Sequence, residues 1–218
     1  MHAAQLHAKI LSNTRLSKDH FVLTLEAPAL FGDVQPGQFL HIRLSDAGEP
    51  LLRRPLSVHK INPITKGHSS AQRYALDLLY AVKGKGTALL AKKCSGELLD
   101  IIGPLGKGFD YAATLKQPAR HILIAGGMGV APLALLADKI IRQKRHNRSD
   151  APSSVIVLLG AATQKQIFCE HYFKEKGCTV FVATEDGSRG LKGTATDLFS
   201  KKILLEAARL KKTKALHP

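Results

Sequence analysis

The chain has 218 residues, 44% of them hydrophobic, and a formal charge of +15. That length supports one large core or two small ones. No apolar run reaches the roughly 18–20 residues of a membrane span, and the N-terminus, with His2 and His7 but no continuous apolar stretch, is not a secretory signal.

Aromatics make up only 6% of the chain, too few for the stacking platforms of single-strand binders. The basic balance therefore reads as a solvated surface, or as steering of an anionic cofactor, rather than as nucleic-acid binding. It is densest at Arg142–Arg148 and Lys201–Lys214. Cys94, Cys169 and Cys178 form no Cys-x-x-Cys pair and read as reduced thiols in a cytoplasmic protein. No histidine is paired at zinc spacing, so no metal is assigned.

Residues 7–111 read as short strands broken by turns, the pattern of an antiparallel sandwich or barrel. Phe21–Leu25 is one run. Gln38–Leu44 alternates apolar and polar after the Pro36-Gly37 turn, as a half-buried strand does. Arg53-Arg54-Pro55-Leu56-Ser57 places a cation and a hydroxyl at the end of a strand. A guanidinium there can neutralise a pyrophosphate bidentately, or it can simply be a basic strand end. Residues 62–72 read as a polar hairpin loop, and Leu76–Val82 and Leu98–Ile102 as further strands.

Between those two strands, Gly84-Lys85-Gly86-Thr87 precedes a short helical run, Ala88–Lys93. Thr87 would cap it, with the helix start open to a phosphate or merely following a flexible turn. Gly103-Pro104-Leu105-Gly106-Lys107-Gly108-Phe109 is either a backbone that bends sharply against something flat or a domain linker.

The pattern changes near residue 116. His121–Ala125, Val155–Leu159 and Thr179–Ala183 are apolar strands. They alternate with helices expected after residue 131 (Leu133, Leu136, Ala137 and Ile140 on one face), over Lys165–Lys176, and over Thr196–Leu210, with Phe199, Ile203, Ala207 and Leu210 on a stripe. Strand alternating with helix implies a parallel sheet with right-handed crossovers. Gly126-Gly127-Met128-Gly129-Val130-Ala131-Pro132 follows the first of these strands. It is a dinucleotide-type turn, though not the G-x-G-x-x-G fingerprint, at the carboxyl end of a strand where ligands bind. Pro132 suits a first helical turn. Ser188 and Arg189, after the third strand, are candidates for a ribose or phosphate, or belong to a polar surface loop.

Together these motifs, with Pro36-Gly37-Gln38-Phe39, Tyr80 and Asp186-Gly187-Ser188, resemble the ferredoxin-reductase-type flavoproteins. More narrowly they resemble the electron-transfer subunits of NAD-dependent bacterial dihydroorotate dehydrogenases. The resemblance runs from about Ala8 to Asp197.

It implies an N-terminal antiparallel six-stranded β-barrel over residues 1–116 that binds FAD. A truncated, doubly wound parallel α/β domain over 117–218 would bind NAD(H). Arg54, Pro55, Leu56 and Ser57 would touch the flavin and its phosphates. Leu79, Tyr80 and Ala81 would line its other side, Gly86 and Thr87 would hold the pyrophosphate, and NADH would dock over Gly126, Gly127, Gly129 and Pro132. The implied activity is electron transfer from NADH through flavin to a separate dihydroorotate dehydrogenase catalytic subunit in pyrimidine biosynthesis. A related reductase with another acceptor, or a flavin-binding subunit without turnover, are the alternatives. No residue is assigned an acid–base role.

The family's pattern continues with a Cys-Gly-Pro element and a cysteine-rich segment holding a two-iron two-sulfur cluster. Those residues do not occur in this sequence, so neither the cluster ligands nor that part of the hydride-transfer site carries over. A shortened C-terminus, whether natural, a fragment or a frame disruption, would leave His121–Ala125 as an open sheet edge. Low solubility alone, or a covering partner chain, is then expected.

Overall fold

A computed structural model describes residues 3–44, 50–64, 72–112, 119–146 and 155–204. It resolves into two compact units: Met1–Tyr111 with Ala131–Lys139, and Ala112–Val130 with Ile140–Pro218.

The first unit is built on a closed antiparallel barrel of six strands: β1 (Ala4–Arg15), β2 (His20–Pro28), β3 (Phe39–Ile42), β4 (Arg54–Ile64), β5 (Arg73–Ala81) and β6 (Leu98–Leu105). Their order around the barrel is β1-β2-β5-β4-β3-β6, and β6 closes on β1 from Ala4↔Gly103 to Lys9↔Leu98. Alternation drives it. On β2, Phe21, Leu23, Leu25 and Ala27 are buried while the residues between them are half-exposed. The β2–β5 register sets Leu23 opposite Leu78 and Leu25 opposite Leu76. Burying each such leucine contributes roughly 1.5–3 kcal/mol. On the outer face the same register lets Thr24 Oγ1 donate to Asp77 Oδ1 (2.8 Å). A short helix, α1 (Lys85–Leu90), follows β5 and sends Leu90 into the core.

The second unit is a parallel sheet in the order β10-β9-β8-β7, from β7 (His121–Gly126), β8 (Val155–Ala161), β9 (Thr179–Thr184) and β10 (Leu191–Lys192). The chain also forms α2 (Ala131–His146), α3 (Glu170–Glu175) and α4 (Ala195–Leu198), the last continuing as a π-helical stretch over Phe199–Leu204. Every residue of β8 is buried. Among the described residues β7 lies at one edge of this sheet and β10 at the other. On β7 Leu123 and Ala125 are buried, Ile122 on the opposite face packs half-buried against the core, and Ile124 is 42% exposed.

Several expected elements differ in extent. The strand expected over Gln38–Leu44 contracts to Phe39–Ile42, and that over Leu98–Ile102 extends through Gly103-Pro104-Leu105. Asn62–Ile64 lie in β4 rather than in a hairpin loop; residues 65–71 fall outside the described residues. Arg54 begins a strand instead of ending one. The helix expected over Lys165–Lys176 is a 3-10 turn at Gln164–Gln166 followed by the six residues of α3, because Cys169 adopts a left-handed φ of 65° that interrupts helical propagation. The expected stripe positions Ala207 and Leu210 lie outside the described residues.

Candidate cofactor site

The barrel gathers the sequence-predicted flavin residues at one end. In the antiparallel β4–β5 pair, Ile64 faces Arg73 and Val58 faces Leu78. Arg54–Ser57 at the start of β4 and Leu79–Ala81 at the end of β5 therefore both lie beyond the Val58–Leu78 pair. The chain then runs directly from β5 into α1, which carries Gly86 and Thr87.

Arg54 bridges the two segments. Its Nη1 donates to the Leu52 carbonyl (2.8 Å), and its side chain lies against Gly86. A Cβ on Gly86 would stand 2.6 Å from Arg54 Nε and 3.0 Å from Leu44 Cδ1. Only a glycine leaves room for the guanidinium over this backbone, so cation and peptide form one cradle. An anionic pyrophosphate fits that chemistry: a planar donor fork beside the first turn of a helix. Pro55 is exposed and Ser57 half-buried next to it.

The capping of α1 differs from expectation. The N-cap is Gly84, and Thr87 sits at the third helical position. From there its Oγ1 accepts the amides of Lys83 (2.8 Å) and Gly84 (3.3 Å), reaching back to fix the turn before the helix. Tyr80 also departs from a simple lining role. Its ring is buried in the barrel, stacked on Phe21 at 5.5 Å, and its hydroxyl donates to Asn13 Oδ1 (3.1 Å). Burial pushes its pKa up to about 12, so the phenol stays protonated. The Tyr80 side chain is thus closed to a ligand, and Leu79 and Ala81, which alternate to the opposite face, are buried as well.

The two arginines of the Arg-Arg pair do different work, a distinction the sequence does not signal. Arg53 turns to β6: Nη2 donates to Asp100 Oδ2 (2.5 Å) and Nη1 to the Asp100 carbonyl (3.0 Å). Gln5 Nε2 donates to the same carboxylate at 3.1 and 3.2 Å. Hydrogen bonding from Arg53 holds the Asp100 carboxyl below the usual carboxylate range.

The glycine-rich stretch Gly103–Phe109 packs on the chain itself. Gly106, at φ +79°, lies against the Phe39 ring, Gln38 Nε2 donates to its carbonyl (3.0 Å), and the Phe109 amide donates to the Pro36 carbonyl (2.8 Å). The flat object that Gly106 meets is Phe39, while Gly103 lies against Leu40 and Gly108 against Gln35, so the Gln35–Leu40 and Gly103–Phe109 stretches pack on each other.

Sequence reasoning also missed His59, which is 3% exposed on β4. Its Nδ1–H donates to the Ala131 carbonyl (2.7 Å). Ala131–Lys139, the first part of α2, belongs to the barrel's unit. Burial lowers the His59 pKa to about 4, against the opposing hydrogen bond to Ala131.

In the second unit, Gly126 ends β7 and Gly127–Val130 forms a 3-10 turn ahead of α2. A Cβ at Gly126, Gly127 or Gly129 would meet nothing within 4 Å, so these backbones are open. Pro132 falls in the first turn of α2, where no intrahelical acceptor awaits its nitrogen. Ser188 and Arg189 are committed elsewhere. Arg189 makes a bidentate pair with Glu170 (both 2.9 Å), and Ser188 donates to Asp186 (2.6 Å) while accepting the Gln164 amide (2.8 Å). Their loop is held by its own partners. Among the described residues no three His, Cys, Asp or Glu side chains are grouped to hold a metal ion, and no helix is long and apolar enough to cross a membrane.

No family model matches the chain. Individual relatives do. The electron transfer subunit of dihydroorotate dehydrogenase B (NAD(+)) from Desulforamulus reducens is 34% identical over 195 residues, covering 89% of this chain and 67% of the relative. The corresponding subunit of Geobacillus thermodenitrificans is 37% identical over 195 residues, covering 89% and 69%, and that of Shouchella clausii 34% over 204 residues, covering 94% and 72%.

The chain belongs to the family of dihydroorotate dehydrogenase B electron transfer subunits.

It spans about two thirds of the length of these family members. Among solved structures, an NADH-dependent reduced ferredoxin-NADP oxidoreductase studied for flavin-based electron bifurcation is 28% identical with a TM-score of 0.67. The match covers 89% of this chain and 62% of that one. A ferredoxin NADP+ reductase from Neisseria gonorrhoeae, with bound FAD and NADP, is 15% identical with a TM-score of 0.68, covering 94% and 79%. The latter likeness is one of fold: a six-stranded barrel and a parallel sheet with helices.

Proposed function

We propose that this chain binds FAD at the barrel end where Arg54 lies over Gly86, and passes electrons from NADH through the flavin to a dihydroorotate dehydrogenase catalytic subunit. The observation that carries the reading is the Arg54 side chain lying over Gly86, which joins the Arg54–Ser57 and Gly86–Thr87 segments in one cationic cradle. Membership of the electron transfer subunit family supplies the partner. Residues 1–116 serve as the FAD domain and 117–218 as the NAD(H) domain.

Bound FAD supplies the redox chemistry, accepting a hydride and releasing electrons onward. The chain's own residues bind and orient. Arg54 neutralises the pyrophosphate. Ser57 offers a hydroxyl to the ring edge, and the main chain of Leu79, Tyr80 and Ala81 lines the same pocket. Thr87 stiffens the turn that carries Gly86. Gly126, Gly127 and Gly129, whose backbones are open, receive the nicotinamide dinucleotide, and Pro132 of the same motif lies in the first turn of α2.

The test is anaerobic. NADH added to the FAD-loaded chain should bleach the flavin band, and adding the catalytic subunit with orotate should restore it as dihydroorotate forms. Failure to bleach would overturn the reading. Recovery with oxidised ferredoxin but not with the catalytic subunit would point to the acceptor class of the 28%-identical oxidoreductase.

A further inference from the structure

We infer that Arg53 and Asp100 form a latch that positions Arg54, making them positioning residues for the cofactor's phosphates. The inference rests on the FAD reading above. The two residues just before Arg53 are not held by burial, since Leu51 is 84% and Leu52 72% exposed. Arg53 is the anchor. Its side chain is 18% exposed and that of Asp100 9%, so the pair is shielded from water far more than an ordinary surface ion pair.

The grip is two-pronged. One guanidinium nitrogen meets the Asp100 carboxylate and another the Asp100 carbonyl. That carbonyl also accepts the Arg43 amide (2.9 Å), and the carboxylate is further fixed by Gln5 from β1. The approach to β4 is thereby pinned across β3 onto β6, two strands away in the barrel.

From there the coupling passes through one bond. Fixing Arg53 fixes the adjoining Leu52 carbonyl, and that carbonyl accepts from Arg54 Nη1 at 2.8 Å. The Arg54 side chain is thus held from behind while its other flank rests on Gly86. A long, rotamer-rich cation is pre-oriented before any phosphate arrives, which lowers the ordering cost of binding. Without the latch, Arg54 keeps its charge but loses its geometry.

A double-mutant cycle tests this. FAD affinity is measured for the natural chain, Arg53→Gln, Arg54→Gln and the double variant, with riboflavin, which lacks the phosphates, as the parallel ligand. We expect Arg54→Gln to weaken FAD at least tenfold, and Arg53→Gln to weaken it about fivefold or more. Adding Arg53→Gln on top of Arg54→Gln should change it less than about twofold, and riboflavin affinity should be preserved throughout. Independent, additive losses, equal loss of riboflavin and FAD, or an Arg53→Gln chain that binds FAD normally would each overturn the latch. If Arg53→Gln does not fold, the near-isosteric Asp100→Asn carries the same cycle with the same outcomes. A natural chain that binds no FAD, or an Arg54→Gln chain that binds it undiminished, would instead sink the underlying FAD reading.

Discussion

At the residue scale, the structure separates side chains that the sequence shows as equivalents. Arg53 and Arg54 are neighbours of identical chemistry, yet one is tied to Asp100 and the other lies over Gly86. No local signal tells them apart, because the deciding partner is nearly fifty residues away. Tyr80 is legible as a candidate site residue by resemblance, but the direction of its ring depends on which face of β5 closes the barrel. His59 was invisible for a similar reason: a histidine in a basic strand gives no hint that it will be buried under a helix residue distant in sequence.

His59 makes a pH prediction. In the folded chain its pKa is lowered to about 4, chiefly by burial, while in the unfolded chain it titrates near 6.5. Between these values the unfolded state binds a proton that the native state does not. His59's contribution is therefore complete above pH 6.5 and is lost as pH falls toward 4. The loss amounts to about 3 kcal/mol by linkage. Urea unfolding of the natural chain and of His59→Gln, compared from pH 7 to pH 4, should show a shallower decline in the variant. Parallel declines would show that His59 is not titrating as its burial requires.

At the scale of elements, the existence of strands and helices was readable and their limits were not. The alternation in β2 and the apolar runs of β7, β8 and β9 identify these strands without help. β1 carries a weaker pattern, and its twelve residues become a strand through pairing with β2 and β6 on either side. The third helix shortened because of one left-handed residue, Cys169, for which residue type gives little warning. Conversely, Gly160 reads as an incidental glycine in an apolar strand, but α4 begins directly on it. A Cβ there would stand 2.6 Å from the Ala195 amide nitrogen and 2.9 Å from the Ala195 Cβ. A backbone atom cannot swing aside as a side chain can. Gly160→Ala should therefore destabilise the chain by about 1–3 kcal/mol in equilibrium urea unfolding. A change below about 0.5 kcal/mol would mean that α4 shifts freely on the sheet.

At the scale of the molecule, each unit makes its own case. In the barrel unit, strand order and the Arg54 side chain lying over Gly86 bring candidate segments together. The parallel sheet leaves three glycine backbones open at the end of β7. The positive charge spread over the surface adds long-range attraction for anionic dinucleotides. What the sequence could show of this site was its parts in their order. What it could not show was that Arg54 and Gly86, thirty-two positions apart, share one space.

That shared space can be measured. FAD titrated into the natural chain should leave about one visible-absorbing flavin bound per polypeptide after gel filtration. Gly86→Ala, whose new methyl would displace chiefly the flexible Arg54 side chain and press lightly on a Leu44 methyl, should weaken FAD at least tenfold while shifting unfolding stability by less than about 1 kcal/mol. A natural chain that emerges colourless, or a Gly86→Ala chain that holds FAD as tightly as the natural one, would contradict the account.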